Sequence, residues 1–202
     1  MEAFLFSTSL VALAEMGDKT QLLTLLLAAR FRKPLPIVLA ILFATLLNHA
    51  VAALIGNWLL QVISADVLQW ILAGTFIAMG IWVLIPDKLD QGANYLDRWQ
   101  KYGVFLATFI LFFLAEIGDK TQIATVALAA QFQSVLLVTL GTTFGMLIAN
   151  IPMIFIGQKL ADHLPMLWIQ RVAAMLFIVF GAVIVFRALM KILLKPFVEE
   201  FS

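Results

Sequence analysis

The chain has 202 residues, 63% apolar and only 12% charged, with a formal net charge of +1 and a mean hydropathy of +1.04. A soluble domain carries about 25% charged residues, so this composition cannot cover a water-facing surface and predicts an all-α polytopic membrane protein. Basic residues gather at segment ends and form no face for nucleic acid, and the absence of cysteine excludes disulfides, thiolate metal sites and thiol redox chemistry.

Six apolar segments follow in chain order, each near the roughly 20 residues that a helix needs to cross a bilayer: Phe4–Ala29, Leu35–Leu60, Val67–Ile85, Val104–Ala130, Val135–Leu160 and Leu167–Leu194. The first lacks a basic leader and a small-residue cleavage pattern, so it reads as the insertion signal and not as a removable peptide. Arg30, Arg32, Lys33, Pro34 and Pro36 separate the first two segments, and Ser64 and Asp66 mark the next turn. Pro86 through Lys101 forms the one substantial polar linker. Gln131, Gln133 and Ser134 close the fourth segment, and Asp162, His163 and Pro165 separate the last two. Trp58, Trp70, Trp82, Trp99 and Trp168 fall near segment ends, where tryptophan anchors at the membrane interface.

A shift of 101 residues superimposes the two halves without a gap. Glu15-Met16-Gly17-Asp18-Lys19-Thr20-Gln21 falls on Glu116-Ile117-Gly118-Asp119-Lys120-Thr121-Gln122, identical at six of seven positions. Ile55-Gly56 meets Ile156-Gly157, and Gly80 meets Gly181. Gly56 and Gly157 read as helix-packing positions. Residues 1–101 and 102–202 are therefore three-helix repeats of one membrane domain. An odd number of spans per repeat makes the second half enter from the opposite side, the inverted architecture of many secondary transporters. Eight Lys/Arg fall in the loops after spans one, three and five and three on the other side. The positive-inside rule then places both termini outside the cytoplasm.

Ionisable groups at mid-membrane depth cost about 2.5–3.5 kcal/mol each, yet Glu15, Asp18, Lys19, Glu116, Asp119 and Lys120 lie inside the first and fourth segments. Along a helix from Phe4, Glu15 sits roughly 16 Å in, about halfway through a ~30 Å hydrocarbon core. Glu15 and Asp18 share a helix face, as do Glu116 and Asp119. Gly17 and Gly118 permit local unwinding that frees carbonyl oxygens. If the repeats bring both motifs together, four carboxylates converge as metal ligands. Thr20, Gln21, Thr121, Gln122, Asn48 and Asn150 are additional neutral oxygen donors. Such an all-oxygen site suits Mn²⁺, Ca²⁺ or Mg²⁺ and is poor for Zn²⁺ or Cu⁺. Lys19 and Lys120 read as charge partners of the adjacent acids, or as side chains that snorkel. Four carboxylates and two ammonium groups sum to −2, so one divalent cation or two protons neutralise the site, and the two compete. His49, aligned with Asn150, reads as a packing or hydrogen-bonding residue.

The doubled Glu-x-Gly-Asp-Lys-Thr motif, on the first and fourth of six segments, resembles that of the family of bacterial MneA-type manganese exporters and Golgi manganese/calcium–proton antiporters. The resemblance covers the whole chain. It implies export of a divalent metal cation by proton antiport, with manganese or calcium as cargo and Glu15, Asp18, Glu116 and Asp119 as the matching acids. It also implies a bacterial inner (plasma) membrane setting, no bound cofactor and no enzymatic reaction. Two competing readings are weaker. An exporter of amino acids or another small organic cation would be overcharged by four carboxylates and lacks an evident aromatic cage. An intramembrane aspartyl protease needs one aspartate pair, not two complete acidic motifs, and its Gly-x-Gly-Asp pattern has Glu at position 15 here. A channel is disfavoured by the inverted repeat.

Overall fold

A computed structural model describes residues 1–85, 100–156 and 166–200. Among them there is no strand, and the order is α1 (Glu2–Ala14), α2 (Lys19–Phe31), α3 (Pro34–Val62), α4 (Ala65–Val83), a 3₁₀ turn (Gln100–Tyr102), α5 (Val104–Glu116), α6 (Lys120–Phe132), α7 (Val135–Ile156) and α8 (Met166–Glu200). Most of the predicted polar linker, from Pro86 to Trp99, lies outside the described residues. So do Gly157, Lys159 and the expected break at Asp162, His163 and Pro165.

Among the described residues, four helices are long and apolar enough to cross a membrane: Pro34–Val62, Ala65–Val83, Val135–Phe155 and Leu167–Leu194. The predicted segments Phe4–Ala29 and Val104–Ala130 differ from expectation, because each is two half-helices of 13 residues and not one continuous rod. A 13-residue helix is only about 20 Å long, shorter than a ~30 Å hydrocarbon core. The break has a local cause. Gly17 and Gly118 adopt φ of 85° and 73°, a region that costs a residue with a Cβ but not glycine. Asp18 and Asp119 follow in extended geometry as the N-caps of α2 and α6. The glycine N–H groups donate to Gln21 Oε1 (2.9 Å) and Gln122 Oε1 (2.8 Å), so the unwound backbone carries its own acceptors. That is the condition on which irregular backbone survives at membrane depth.

The halves match in detail at their ends too. Arg32 after α2 and Gln133 after α6 both take the left-handed conformation, with φ of 50° and 52°. Packing between the halves is reciprocal. A Cβ on Gly80 of α4 would lie 2.8 Å from the Ala174 carbonyl oxygen of α8, and one on Gly181 of α8 would lie 3.0 Å from that of Ala73 on α4. Position 80 thus meets 174–178 while 73–77 meets 181, so these two helices run antiparallel. α7 instead runs parallel to α1, with Gly141 against Phe4 and Ser7 and Gly145 against Thr8 and Ala12. Thr8 Oγ1 donates to the Gly141 carbonyl at 3.0 Å. Glycine on these faces allows close backbone approach, the usual basis of helix association in lipid, where no hydrophobic force drives helices together.

Phe6, Phe76, Phe132, Phe177 and Phe180 fill the junction of α1, α4, α6 and α8, with centroid separations from 4.3 Å for Phe6–Phe180 to 6.3 Å for Phe76–Phe177. Large apolar side chains such as Leu39, Phe43, Val51, Ile81 and Phe186 point outward, as a lipid-facing surface requires. Trp58, Trp70 and Trp168 are exposed, whereas Trp82 packs on the core.

Because the atoms facing Gly145 are backbone (Thr8 carbonyl oxygen at 2.6 Å, Ala12 nitrogen at 3.0 Å), Gly145→Ala should lower stability by about 1–3 kcal/mol. Gly74→Ala, with nothing within 4 Å of the added carbon, should be neutral or slightly stabilising. Thermal unfolding midpoints of the two variants in detergent check the contrast.

Candidate cation site at the two helix breaks

Both acidic motifs sit where a half-helix ends and the next begins. Glu15 follows the last residue of α1 and Glu116 ends α5, while Asp18 and Asp119 precede α2 and α6. The unwinding between Glu and Asp turns both side chains toward a common centre. One carboxylate oxygen from each of Glu15, Asp18 and Asp119 lies within 4.8 Å of the others, and all three residues are buried. Glu116 does not join that trio, but it is fully buried. The Thr121 hydroxyl lies 3.2 Å from Glu116 Oε2 and 3.4 Å from Asp119 Oδ2, which ties Glu116 to the cluster.

The lysines differ from the sequence expectation. They pair not with the acids beside them but with those of the other repeat: Lys19 Nζ contacts Asp119 Oδ1 and Lys120 Nζ contacts Asp18 Oδ1, each at 2.5 Å. Neighbours in a helix point about 100° apart and do not face each other, so exchange between repeats is the geometrically available pairing. Lys120 is almost fully buried, whereas the Lys19 side chain is 26% exposed. Breaking a buried ion pair by removing one partner costs about 3–5 kcal/mol, so these pairs lock the halves in register.

Each glutamate is held by one oxygen. Thr20 Oγ1 donates to Glu15 Oε2 at 2.7 Å, and Thr121 can do the same for Glu116 Oε2. Glu15 Oε1 and Glu116 Oε1 are buried and have no hydrogen-bond partner. A buried polar atom without a partner is rare and costs about 1–3 kcal/mol. On the glutamates it occurs at equivalent positions of the two motifs, on a strong acceptor each time.

The neutral oxygens expected from the sequence are largely engaged. Gln21 accepts from the Gly17 N–H and donates to the Ala149 carbonyl at 2.7 Å; Gln122 accepts from the Gly118 N–H. Asn150 Oδ1 accepts from Thr24 Oγ1 at 2.9 Å, and Asn48 Nδ2 donates to the Phe113 carbonyl at 3.1 Å. These side chains brace the breaks against α7 and α5. Thr24 was not evident as a site residue from the sequence; its position one turn beyond Thr20 was the available signal. Among the last carbonyls of α1 and α5, Val11 accepts from the Glu15 N–H, Phe113 from Asn48 and Glu116 from the Asp119 N–H; both helix ends carry the negative end of the helix dipole toward the breaks.

The arrangement is thus an oxygen-rich, buried, net-anionic centre that can accept protons or a hard divalent cation. The sequence pattern described as divalent cation/proton antiporter GDT1 matches residues 3–91 and again residues 104–192. A Vibrio cholerae protein named "Putative manganese exporter" is 50% identical over 179 residues, 88% of each chain. GDT1-like protein 4 of Oryza sativa subsp. indica is 25% identical over 202 residues, covering 89% of this chain and 72% of its own. GDT1-like protein C186.05c of Schizosaccharomyces pombe is 28% identical over 83 residues, 41% of this chain and 31% of its own. No solved structure matches. With both repeats matched over nearly the whole chain, this integral membrane protein belongs to the GDT1 family of divalent cation/proton antiporters.

Proposed function

We propose that the chain exports manganese from the cytoplasm in exchange for protons, with calcium as a second cargo, through a site made by Glu15, Asp18, Glu116 and Asp119. The observation that carries this reading is the pair of unpartnered, fully buried oxygens, Glu15 Oε1 and Glu116 Oε1, beside the two Asp–Lys pairs. Two protons on the glutamates leave Asp18 and Asp119 paired with Lys120 and Lys19, and the centre is neutral. A divalent cation balances the same charge when the glutamates are ionised: four carboxylates, two ammonium groups and one dication sum to zero. The ion competes with the lysines for the aspartates and with protons for the glutamates. Because a low-dielectric site resists net charge, it holds one cargo or the other. The relative's name, at 50% identity, supports manganese as first cargo.

Six spans in two inverted repeats complete the proposal, with α1–α2 and α5–α6 as the interrupted spans and both termini on the non-cytoplasmic side of a bacterial plasma membrane. The antiparallel packing of α4 on α8, which are equivalent elements of the two repeats, supports opposite entry. So does the Lys/Arg asymmetry between loops. Interrupted spans at a repeat interface are where secondary transporters bind their ions.

Asp18→Asn and Asp119→Asn should each abolish metal export, with the protein still present in the membrane at a level lowered by the broken lysine pair. Manganese tolerance of cells expressing either variant alone reads the effect, and normal tolerance with either would remove the site.

The chain has no native cysteine, so topology is directly accessible. Arg32 and Gln133 are equivalent and exposed. Arg32→Cys should react with an impermeant maleimide from the cytoplasmic side and Gln133→Cys from the opposite side. Reaction of both from one side would exclude inverted repeats.

Proton coupling has a definite sign. If two protons leave as one ion binds, apparent metal affinity rises by roughly hundredfold per pH unit at most and is lost as pH falls. Proton release on adding Mn²⁺ to purified protein at several pH values, and flux in vesicles with and without an imposed gradient, measure it. Binding without proton release and flux indifferent to the gradient would make the protein a facilitator.

A further inference from the structure

A groove of about 570 Å³ runs between α1, α6 and α8, and no residue of either acidic motif lines it. Its volume falls in the range of small-molecule sites, roughly 300–1,000 Å³. Glu2, Ser9, Gln131 and Arg187 are its polar lining, and the rest is leucine and phenylalanine.

Three of the four polar residues share one end. α1 runs parallel to α7, so Glu2 is level with the start of α7, close in sequence to Gln131 at the end of α6. Arg187 lies on the C-terminal half of α8, which meets the start of α4 through Lys191 and Asp66 at 2.8 Å. The start of α4 lines a second cavity together with Gln131. Glu2, Gln131 and Arg187 therefore mark the same side of the molecule, and Leu10 on α1 and Leu176 on α8 mark the far end of the groove. Between them the lining is apolar, with Phe6 and Phe180 packed at 4.3 Å and only Ser9 as an interruption. From Leu176 to Arg187 is roughly 16 Å of helix, close to half of a ~30 Å hydrocarbon core. The groove is thus one leaflet deep, apolar inside and charged at its mouth.

Glu2 and Arg187 are exposed, and among the described residues neither has an ion-pair partner. Duplication does not account for them, because the equivalents of Glu2 and Arg187 are Gly103 and Pro86.

We propose that this groove holds one ethanolamine-headed phospholipid of the adjoining leaflet. Its phosphate meets the Arg187 guanidinium, whose planar fork matches phosphate geometry, and its ammonium meets Glu2. An acyl chain lies along Phe6 and Phe180 and ends between Leu10 and Leu176. A glycerol-headed phospholipid offers no ammonium and brings a net negative charge beside Glu2, so it fits less well. Neither the cargo of the carboxylate centre nor the sidedness of the termini enters this assignment. Because α1 belongs to the first repeat and α6 and α8 to the second, the lipid bridges the two halves.

Delipidated protein in detergent, titrated with single phospholipids and followed by native mass spectrometry, tests the site. The ethanolamine-headed lipid should bind in a one-to-one step, more tightly than a glycerol-headed lipid with the same chains. Arg187→Gln should weaken that step about tenfold, the scale of one hydrogen bond to a charged group. Glu2→Gln should remove the preference between headgroups, and Ser9→Trp should abolish the step by filling the groove. Two controls should leave it unchanged: Arg171→Gln, where the guanidinium stands 5.3 Å over Trp168, and Leu54→Trp on α3. All five positions are exposed, which keeps these changes out of the packed core. Equal binding to wild type, Arg187→Gln and Ser9→Trp overturns the proposal. So does tighter binding of the glycerol-headed lipid to the wild type, or the lack of any one-to-one step.

Discussion

Two lysine–aspartate pairs exchanged between the repeats, Lys19 with Asp119 and Lys120 with Asp18, set the terms on which the rest of the structure stands. A lone charge at this depth is expensive, and an acid cannot be answered well by the lysine next to it in sequence. The two motifs must therefore meet, and each half supplies what the other lacks. Four interrupted half-helices then converge on one point. Glycine packing brings α4 against α8 and α7 against α1 at close backbone approach, and the acids at the breaks are buried.

The same constraint explains why the centre is suited to exchange. The aspartates are satisfied by lysine, so the protein holds its register while the glutamates keep an oxygen each for a mobile charge. Thr20 and Thr121 orient the glutamates without filling them. Gln21 and Gln122 cap the breaks and free the intervening backbone from the need for a continuous helix. In the binding mode proposed above, an ion competes with the ammonium groups and a proton takes the oxygens the ion would use, so that mode couples the two without a separate device.

The repeats are near copies in backbone but not in chemistry. Lys120 is buried more deeply than Lys19. The Thr24–Asn150 bond has no counterpart at Thr125 and His49. Duplication supplies two equal motifs, and the departures from equality are where selectivity between similar ions can be built.

Membrane residence, the duplication and the acidic centre were legible in the residues themselves. Long apolar runs have one stable environment. A polar heptapeptide matched at six positions inside such runs is too costly to persist without a task. Gly17 and Gly118 announced that the helices could open there, because glycine alone takes positive φ without strain. Which lysine answers which aspartate joins residues about a hundred positions apart, and only the packed fold brings them within 2.5 Å. The structure likewise decided that Gln21, Gln122 and Asn150 spend their oxygens on the protein and that the nitrogens of His49 remain unspent. Composition and spacing determine what a side chain can do. Whether a donor already occupies it depends on neighbours that the chain meets only after the halves have packed.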